Sequence, residues 1–100
     1  MAIISISIVP IGTNSTSLSK YVASTIKILK SEKDIKYQLT SMGTIIEGKS
    51  IDKLLEICKK MHESTYSQPV KRVLTTIKID DRRDKKASME DKIKSIKEKL

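Results

Sequence analysis

Hydroxyl side chains are concentrated in one short stretch that follows the first predicted strand. Five of them, Thr13, Ser15, Thr16, Ser17 and Ser19, fall within seven residues, at the start of a predicted helix. The free N–H groups at a helix N-terminus, together with hydroxyls, can hold an anion or the polar edge of a ligand. Capping and turn formation explain one or two hydroxyls at such a junction, so capping and binding both remain open.

A single carboxylate, Glu47, stands in an otherwise apolar strand pattern, directly after Ile45 and Ile46. A carboxylate in such surroundings is costly unless it is exposed, paired or used to bind something. Its two oxygens can accept hydrogen bonds from the amino group and the ring-nitrogen side of an aminopyrimidine. The alternative is an ion pair at the rim of the sheet, with Lys36 or Arg72 as the partner.

The sequence holds no recognisable catalytic set. There is one cysteine, Cys58, and one histidine, His62, four residues apart on a predicted helix. Two ligands on one helix do not make a metal site, so both are predicted to be packing residues. Neither a P-loop nor a Gly-x-Gly-x-x-Gly loop occurs. We therefore expect no enzymatic activity, no catalytic residues, no metal site and no required cofactor.

The formal net charge of +8 points first to nucleic acid, but its distribution weakens that interpretation. Residues 1–81 carry twelve Lys or Arg against eight Asp or Glu, and residues 82–100 carry eight against four. Lysines that alternate with acids on helix surfaces are typical of solvated faces. RNA-binding modules of this size stack bases on strand aromatics, and the predicted strands offer Tyr37 alone. Nucleic acid is therefore the less favoured partner.

Targeting and membrane signals are also missing from the sequence. No apolar stretch approaches the roughly 18 residues of a membrane span. The first residues enter an alternating pattern directly, without a basic leader and a long apolar run. We therefore expect a cytoplasmic protein without a membrane partner.

The spacing of apolar residues predicts the elements that position these groups. Ile4, Ile6 and Ile8 alternate with Ser5 and Ser7, which is the pattern of a strand with one buried face and one small, polar face. Further strands are predicted over residues 35–40, 44–47 and 70–80, and helices from Ser17 to about residue 31 and from Ser50 to before Pro69. This order predicts an α+β fold, the ferredoxin-like βαββαβ sandwich with an extra C-terminal helix.

Residues 82–100 read as a charged hinge and a C-terminal helix, which we assign to the same domain as the ferredoxin-like residues 1–81. Ser88 and Asp91 form a start that resembles a capping box. Apolar residues then recur at helical spacing: Met89, Ile93, Ile96 and Leu100. Such a short, charged helix is marginal alone, so we expect it to dock on its own sheet or on a neighbouring subunit. The mixed signs of residues 80–84 predict ion pairs, across a subunit contact, instead of a cation site.

Several short motifs resemble, in order and spacing, those of the thiamine-binding protein family of small ferredoxin-like proteins. The matching positions are Pro10, Gly12-Thr13, residues 15–19 and 21–23, Tyr37, Met42-Gly43-Thr44, Glu47, His62-Glu63, Arg72-Val73, Thr75-Thr76 and residues 78–84. The resemblance covers essentially the whole chain. It implies a βαββαβ subunit, homodimers formed through the sheets, homotetramers, and binding of thiamine or its hydroxymethylpyrimidine moiety without known catalysis.

The resemblance also implies where the ligand is contacted. The matching positions for contacts are Ser7, Ser17, Ser19, Tyr37, Met42, Thr44, Glu47 and Arg72. In this interpretation Glu47 holds the aminopyrimidine edge, the hydroxyls of Ser17 and Ser19 supply polar contacts, and Tyr37 and Met42 wall the ring. Two other hypotheses stay open: a structural or regulatory assembly protein without a small ligand and, less favoured, a basic nucleic-acid-binding module.

Overall fold

Four antiparallel strands form one sheet, and two helices pack on one of its faces. The computed structural model describes residues 1–12, 19–84 and 88–100. Its elements are β1 (Ala2–Ile11), α1 (Ser19–Ser31), β2 (Ile35–Thr40), β3 (Gly43–Gly48), α2 (Ile51–Ser64) with a 3₁₀ turn over Thr65–Ser67, β4 (Arg72–Asp81) and α3 (Met89–Lys99). The proposed cap of α1, Ser17, lies outside the described residues.

The strand order β2-β3-β1-β4 places the first and third strands at the centre of the sheet. β1 pairs antiparallel with both β3 and β4, and β3 pairs antiparallel with β2. Each helix therefore crosses over between two strands that are not neighbours, as in the split βαβ units of ferredoxin-like proteins. The fold class predicted from the sequence is confirmed.

The core lies between the sheet and α1 and α2, and it is aliphatic. Ile4, Ile6 and Ile46 enter it from the two central strands and are fully or almost fully buried. The helices contribute Leu29 from α1 and, from α2, residues at helical spacing that include Leu54. The apolar residues that recur at every second position in the strands therefore pack in one layer with those that recur at helical spacing in α2.

The opposite face of the sheet is not covered by α1 or α2, and we call it the open face. The register aligns four of its residues across the sheet, in the order Lys36, Glu47, Ile3 and Asp80, one from each strand. We call this set the Glu47 row. Ser5 and Ser7 follow on the same face of β1, as their alternation with Ile4 and Ile6 predicts.

The C-terminal helix α3 lies against the open face. The hydroxyl of Ser88, the N-cap residue just before α3, accepts a hydrogen bond from the Asp91 amide, and the Asp91 carboxylate accepts one from the Ser88 amide. The predicted capping box is therefore present. Two ion pairs join α3 to the sheet. Glu90 lies 3.7 Å from the Lys36 ammonium, and Lys92 pairs with Asp80.

Two adjacent leucines of α2 provide a test of this packing. Leu54 is 0% exposed in the core, whereas Leu55 is 39% exposed. Replacing Leu54 with Ala should lower the free energy of unfolding by about 2–5 kcal/mol, because a cavity remains in the aliphatic layer. Leu55→Ala is the matched control and should cost less than about 1 kcal/mol. Urea denaturation measures both, and equal losses would contradict the assigned faces of α2.

Candidate functional site

The carboxylate of Glu47 is buried without a partner. The residue is 1% exposed, and neither Oε1 nor Oε2 has a hydrogen-bond partner within the described part of the chain. Buried polar groups are normally hydrogen-bonded, and an unsatisfied one costs free energy because its hydration is lost without replacement. Such a group therefore requires a physical explanation, and the supply of hydrogen bonds by a ligand is one.

The register of β3 places Glu47 on the open face. Ile46 points into the core, and a side chain at Gly48 would meet Leu54 of α2 at 3.1 Å, so these two residues face the helices. Successive side chains of a strand alternate between faces, and Glu47 therefore faces the other way. A slip of one residue would exchange the faces, which is why the sequence alone did not determine the orientation of this carboxylate.

The ion pair considered for Glu47 is not formed. Lys36 is its direct neighbour on β2, but the ammonium of Lys36 pairs with Glu90 of α3. Arg72 stands opposite Ile11, at the far end of β4 from the Glu47 row. Among the described residues, both partners proposed from the sequence therefore leave Glu47 without a counter-charge.

A cavity of about 470 Å³ lies elsewhere, between α1 and the hairpin of β2 and β3. Tyr21, Val22 and Thr25 line it from α1, together with Met42 and Thr44 from the hairpin. Its volume is in the range of small-molecule pockets. The sequence analysis missed the three residues of α1. Their signal was present, because Tyr21 and Val22 belong to a family motif and Thr25 falls one helical turn after Tyr21.

The hairpin is held close to β1 by a glycine. Gly43 has a φ of +152°, and a Cβ at this position would lie 2.6 Å from the backbone oxygen of Ile6. Only glycine permits both the conformation and the approach. The Thr40 hydroxyl also donates to the Gly43 carbonyl oxygen at 2.9 Å. These contacts set the position of Met42 at the turn.

The structure brings some of the expected contact residues together and separates others. Met42 and Thr44 line the cavity, and Ser7 also borders it, although its alternation with Ile6 places its side chain on the open face. Glu47 does not line it, and it lies on the other face from Thr44, which is opposite the core residue Ile6. Tyr37 packs against the core and Arg72 is exposed at the start of β4, so neither is near Glu47. Ser17 and the side chain of Ser19 lie outside what the structure describes.

Cys58 and His62 occupy packing positions on α2. Burial raises the pKa of the Cys58 thiol to about 11, so the thiol is protonated at neutral pH and is not a ready nucleophile. The Nδ1 atom of His62 lies 2.6 Å from the Thr75 hydroxyl, and its ring contacts Tyr66 edge to face with centroids 5.7 Å apart. No group of three or more potential metal ligands occurs among residues 1–12, 19–84 and 88–100.

Ion pairs form in the segment after β4, within the chain. Arg82 donates to Asp84 at 2.7 Å, and Arg83 donates to Asp81 at 2.9 Å. The predicted ion pairs are therefore present in this segment, and those found here join residues of one chain, so a subunit contact through them stays a prediction. None of the helices within the described ranges is long and apolar enough to cross a membrane.

Comparisons with known proteins agree over almost the whole chain. A family model described as thiamine-binding protein matches residues 4–97. The chain is 48% identical over 103 residues to the UPF0045 protein YqgV of Bacillus subtilis, covering 100% of this chain and 98% of that one. It is 43% identical over 95 residues to a UPF0045 protein of Methanothermobacter thermautotrophicus, with 95% of each chain covered.

Solved structures show the same fold. The hypothetical protein MJ1052 of Methanocaldococcus jannaschii has a TM-score of 0.85 and 37% identity, and the match covers 97% of this chain and 96% of that one. A Thermotoga maritima protein provisionally described as a thiamine biosynthesis or salvage protein has a TM-score of 0.76 and 20% identity, with 95% and 97% covered. The second likeness is one of fold alone.

The unpartnered carboxylate should reduce stability in the absence of a ligand. Replacing Glu47 with Met removes two unsatisfied acceptors and one buried charge, so the free energy of unfolding should rise by about 1–3 kcal/mol. Urea denaturation without added ligand measures this change. Glu56→Met is the control, because its side chain is 66% exposed, and it should change stability by less than about 0.5 kcal/mol. A loss of stability in Glu47→Met would show that the carboxylate is stabilised by partners in the folded protein.

Proposed function

The chain belongs to the thiamine-binding protein family, and we propose that it binds thiamine or the hydroxymethylpyrimidine moiety of thiamine, in the cytoplasm, without catalysing a reaction. The observation that carries this proposal is the buried carboxylate of Glu47, whose two oxygens have no hydrogen-bond partner in the described residues. The family supplies the class of ligand, and Glu47 supplies an acceptor that fits it.

The fit is one of hydrogen-bond chemistry. A carboxylate offers two acceptor oxygens side by side, and hydrogen bonds to a charged group are stronger than those between neutral groups. An aminopyrimidine presents an amino group next to a ring nitrogen, which donates when it is protonated. The pair of donors matches the pair of acceptors. Thiamine is also a cation, so its charge complements that of Glu47.

Apolar residues next to Glu47 provide a surface for the pyrimidine ring. Ile3 stands opposite Glu47 on β1, and Ile45 is the next residue of β3 on the open face; both are half-buried. Ser7 lies on the same face of β1, further along the strand. We propose that the ring lies against the two isoleucines and that the longer thiamine molecule extends towards Ser7.

The other contact positions implied by the family include residues that lie away from Glu47, and we propose contacts by them outside the Glu47 site. Met42 and Thr44 line the cavity beside α1. Within one subunit, a ligand held by Glu47 is on the other side of the sheet from Thr44. A contact of Arg72 or Tyr37 with the same ligand would require another subunit, and without one these two residues would belong to a second site.

We further propose that the protein is a homo-oligomer that associates through the edge of β4. β4 is an edge strand of ten residues, and exposed strand edges promote pairing with another chain. Three large apolar side chains of this strand are exposed: Leu74, Ile77 and Ile79. The same edge favours the second candidate function, an assembly protein without a small ligand. Nucleic-acid binding gains no such support, since Tyr37 packs on the helix-covered face instead of the open face.

Isothermal titration with thiamine and with hydroxymethylpyrimidine tests the ligand. We expect saturable binding by the natural chain, and a loss of about 1–3 kcal/mol of binding free energy in Glu47→Gln, which replaces one acceptor oxygen with a donor. Glu56→Gln, on the exposed face of α2, should bind like the natural chain. Equal affinities of the Glu47 and Glu56 variants would reject Glu47 as the recognition group. Absence of binding heat with both ligands would reject the proposed ligands and favour the second candidate, an assembly protein without a small ligand.

Size-exclusion chromatography with light scattering tests the oligomer. The natural chain should elute with at least twice its mass of 11.3 kDa. Changing Ile77 and Ile79 together to Lys should lower the mass, because two charges would be buried at the strand edge. The control changes Ile93 and Ile96 of α3 to Lys. A natural chain that elutes as a monomer would refute the proposal, and dissociation by the control alone would move the contact to α3.

A further inference from the structure

We propose that α3 is a movable lid over Glu47, and that a small donor ligand reaches this carboxylate only when the first turn of α3 lifts from the sheet. The inference rests on the proposed function for the identity of the ligand, and it adds the route of entry. It comes from three observations: the position of α3 across the Glu47 row, the weakness of its attachment, and the lack of a donor for the covered carboxylate.

Two ion pairs place the first turn of α3 above Glu47. Within the Glu47 row, Lys36 lies on one side of Glu47, and Asp80 lies at the opposite end. Neighbouring strands are about 4.8 Å apart, so the backbones at the two ends of the row are separated by about 14 Å. Lys36 pairs with Glu90 and Asp80 pairs with Lys92. Since these partners are two residues apart in α3, the turn that carries them spans the middle of the row.

The attachment of α3 is local and weak. Both ion pairs are exposed: the side chains of Lys36 and Glu90 are 65% and 58% accessible, and those of Lys92 and Asp80 are 46% and 50% accessible. Exposed ion pairs contribute little to stability and are screened by salt. Ser88 and Met89 are half-buried, whereas every residue from Glu90 to Leu100 is exposed. The helix can therefore detach without disturbing the core.

Glu47 is almost fully buried below this turn, and no residue in the described part of α3 donates a hydrogen bond to its carboxylate. The carboxylate is thus set for a donor that enters beneath α3. The chemistry defines the ligand class as a small, flat molecule with adjacent N–H donors or a positive charge. A phosphate group does not suit this position, because it would lie against the carboxylate of Glu47, while the cations at the borders, Lys36 and Lys92, are already paired with Glu90 and Asp80.

Carboxyl labelling tests the lid in the full chain and without a biological ligand. The probe is a water-soluble carbodiimide with glycine ethyl ester, and mass spectrometry of peptides measures the rate at Glu47 relative to the exposed Glu56. We expect slow labelling of Glu47 in the natural chain. In the double variant Glu90→Gln with Lys92→Gln, labelling should accelerate roughly tenfold, because its rate follows the population of the open state.

The matched control is Lys94→Gln with Glu98→Gln, which also removes one base and one acid from α3. These two residues form none of the ion pairs found in the described part of the chain. Circular dichroism verifies that all variants are folded. Raised salt on the natural chain provides a variant-free measurement and should also accelerate labelling, since exposed pairs are screened. Labelling of Glu47 as fast as Glu56 in the natural chain, or equal rates in the two double variants, would overturn the lid.

Thiamine added to the same reactions separates this inference from the proposed function. Protection of Glu47 by thiamine in the Glu90/Lys92 double variant would support both. Accelerated labelling in that variant without protection by thiamine would support the lid and reject thiamine as its ligand. Protection by thiamine with no difference between the two double variants would support the ligand and overturn the lid.

Discussion

The pairing of β3 with its two neighbours is the constraint on which the rest of the structure depends. β3 lies between β2 and β1, and its register sends Ile46 into the core and Glu47 to the open face. The cost of moving Ile46 out of the aliphatic layer is large compared with the preference of any single surface side chain. Packing on one face of the sheet therefore determines the chemistry available on the other.

This division into two faces organises the functional groups. The helix-covered side provides a cavity that ends at the β2–β3 hairpin, and Gly43 holds that hairpin against β1. The open face provides Glu47, with isoleucines beside it and α3 above the row. A ligand large enough to touch both groups within one subunit would have to cross a paired strand. Family positions that are close in sequence, such as Thr44 and Glu47, consequently serve different surfaces.

Much of the fold could be predicted because its signals are local. The alternation of isoleucine and serine in β1, and the helical spacing around Leu54, each require only a few consecutive residues. The site could be predicted less well, because it depends on contacts between distant segments. The pairing of Lys36 with Glu90 instead of Glu47 joins residues separated by half of the chain. Residue types identified Glu47 as unusual, but its face of the sheet follows from the register, and the contacts of α3 next to it follow from the structure.

The charge of the chain explains why burial matters for the proposed ligand. A cation that approaches a protein of net charge +8 gains no general electrostatic steering from it. Recognition must then come from a local acceptor that acts strongly at short range. Removing water around Glu47 strengthens its interaction with a donor, because the effective dielectric constant falls. The same removal makes the carboxylate costly when no donor is bound, so a cover that is held weakly and can open reconciles a strong local acceptor with access from solvent.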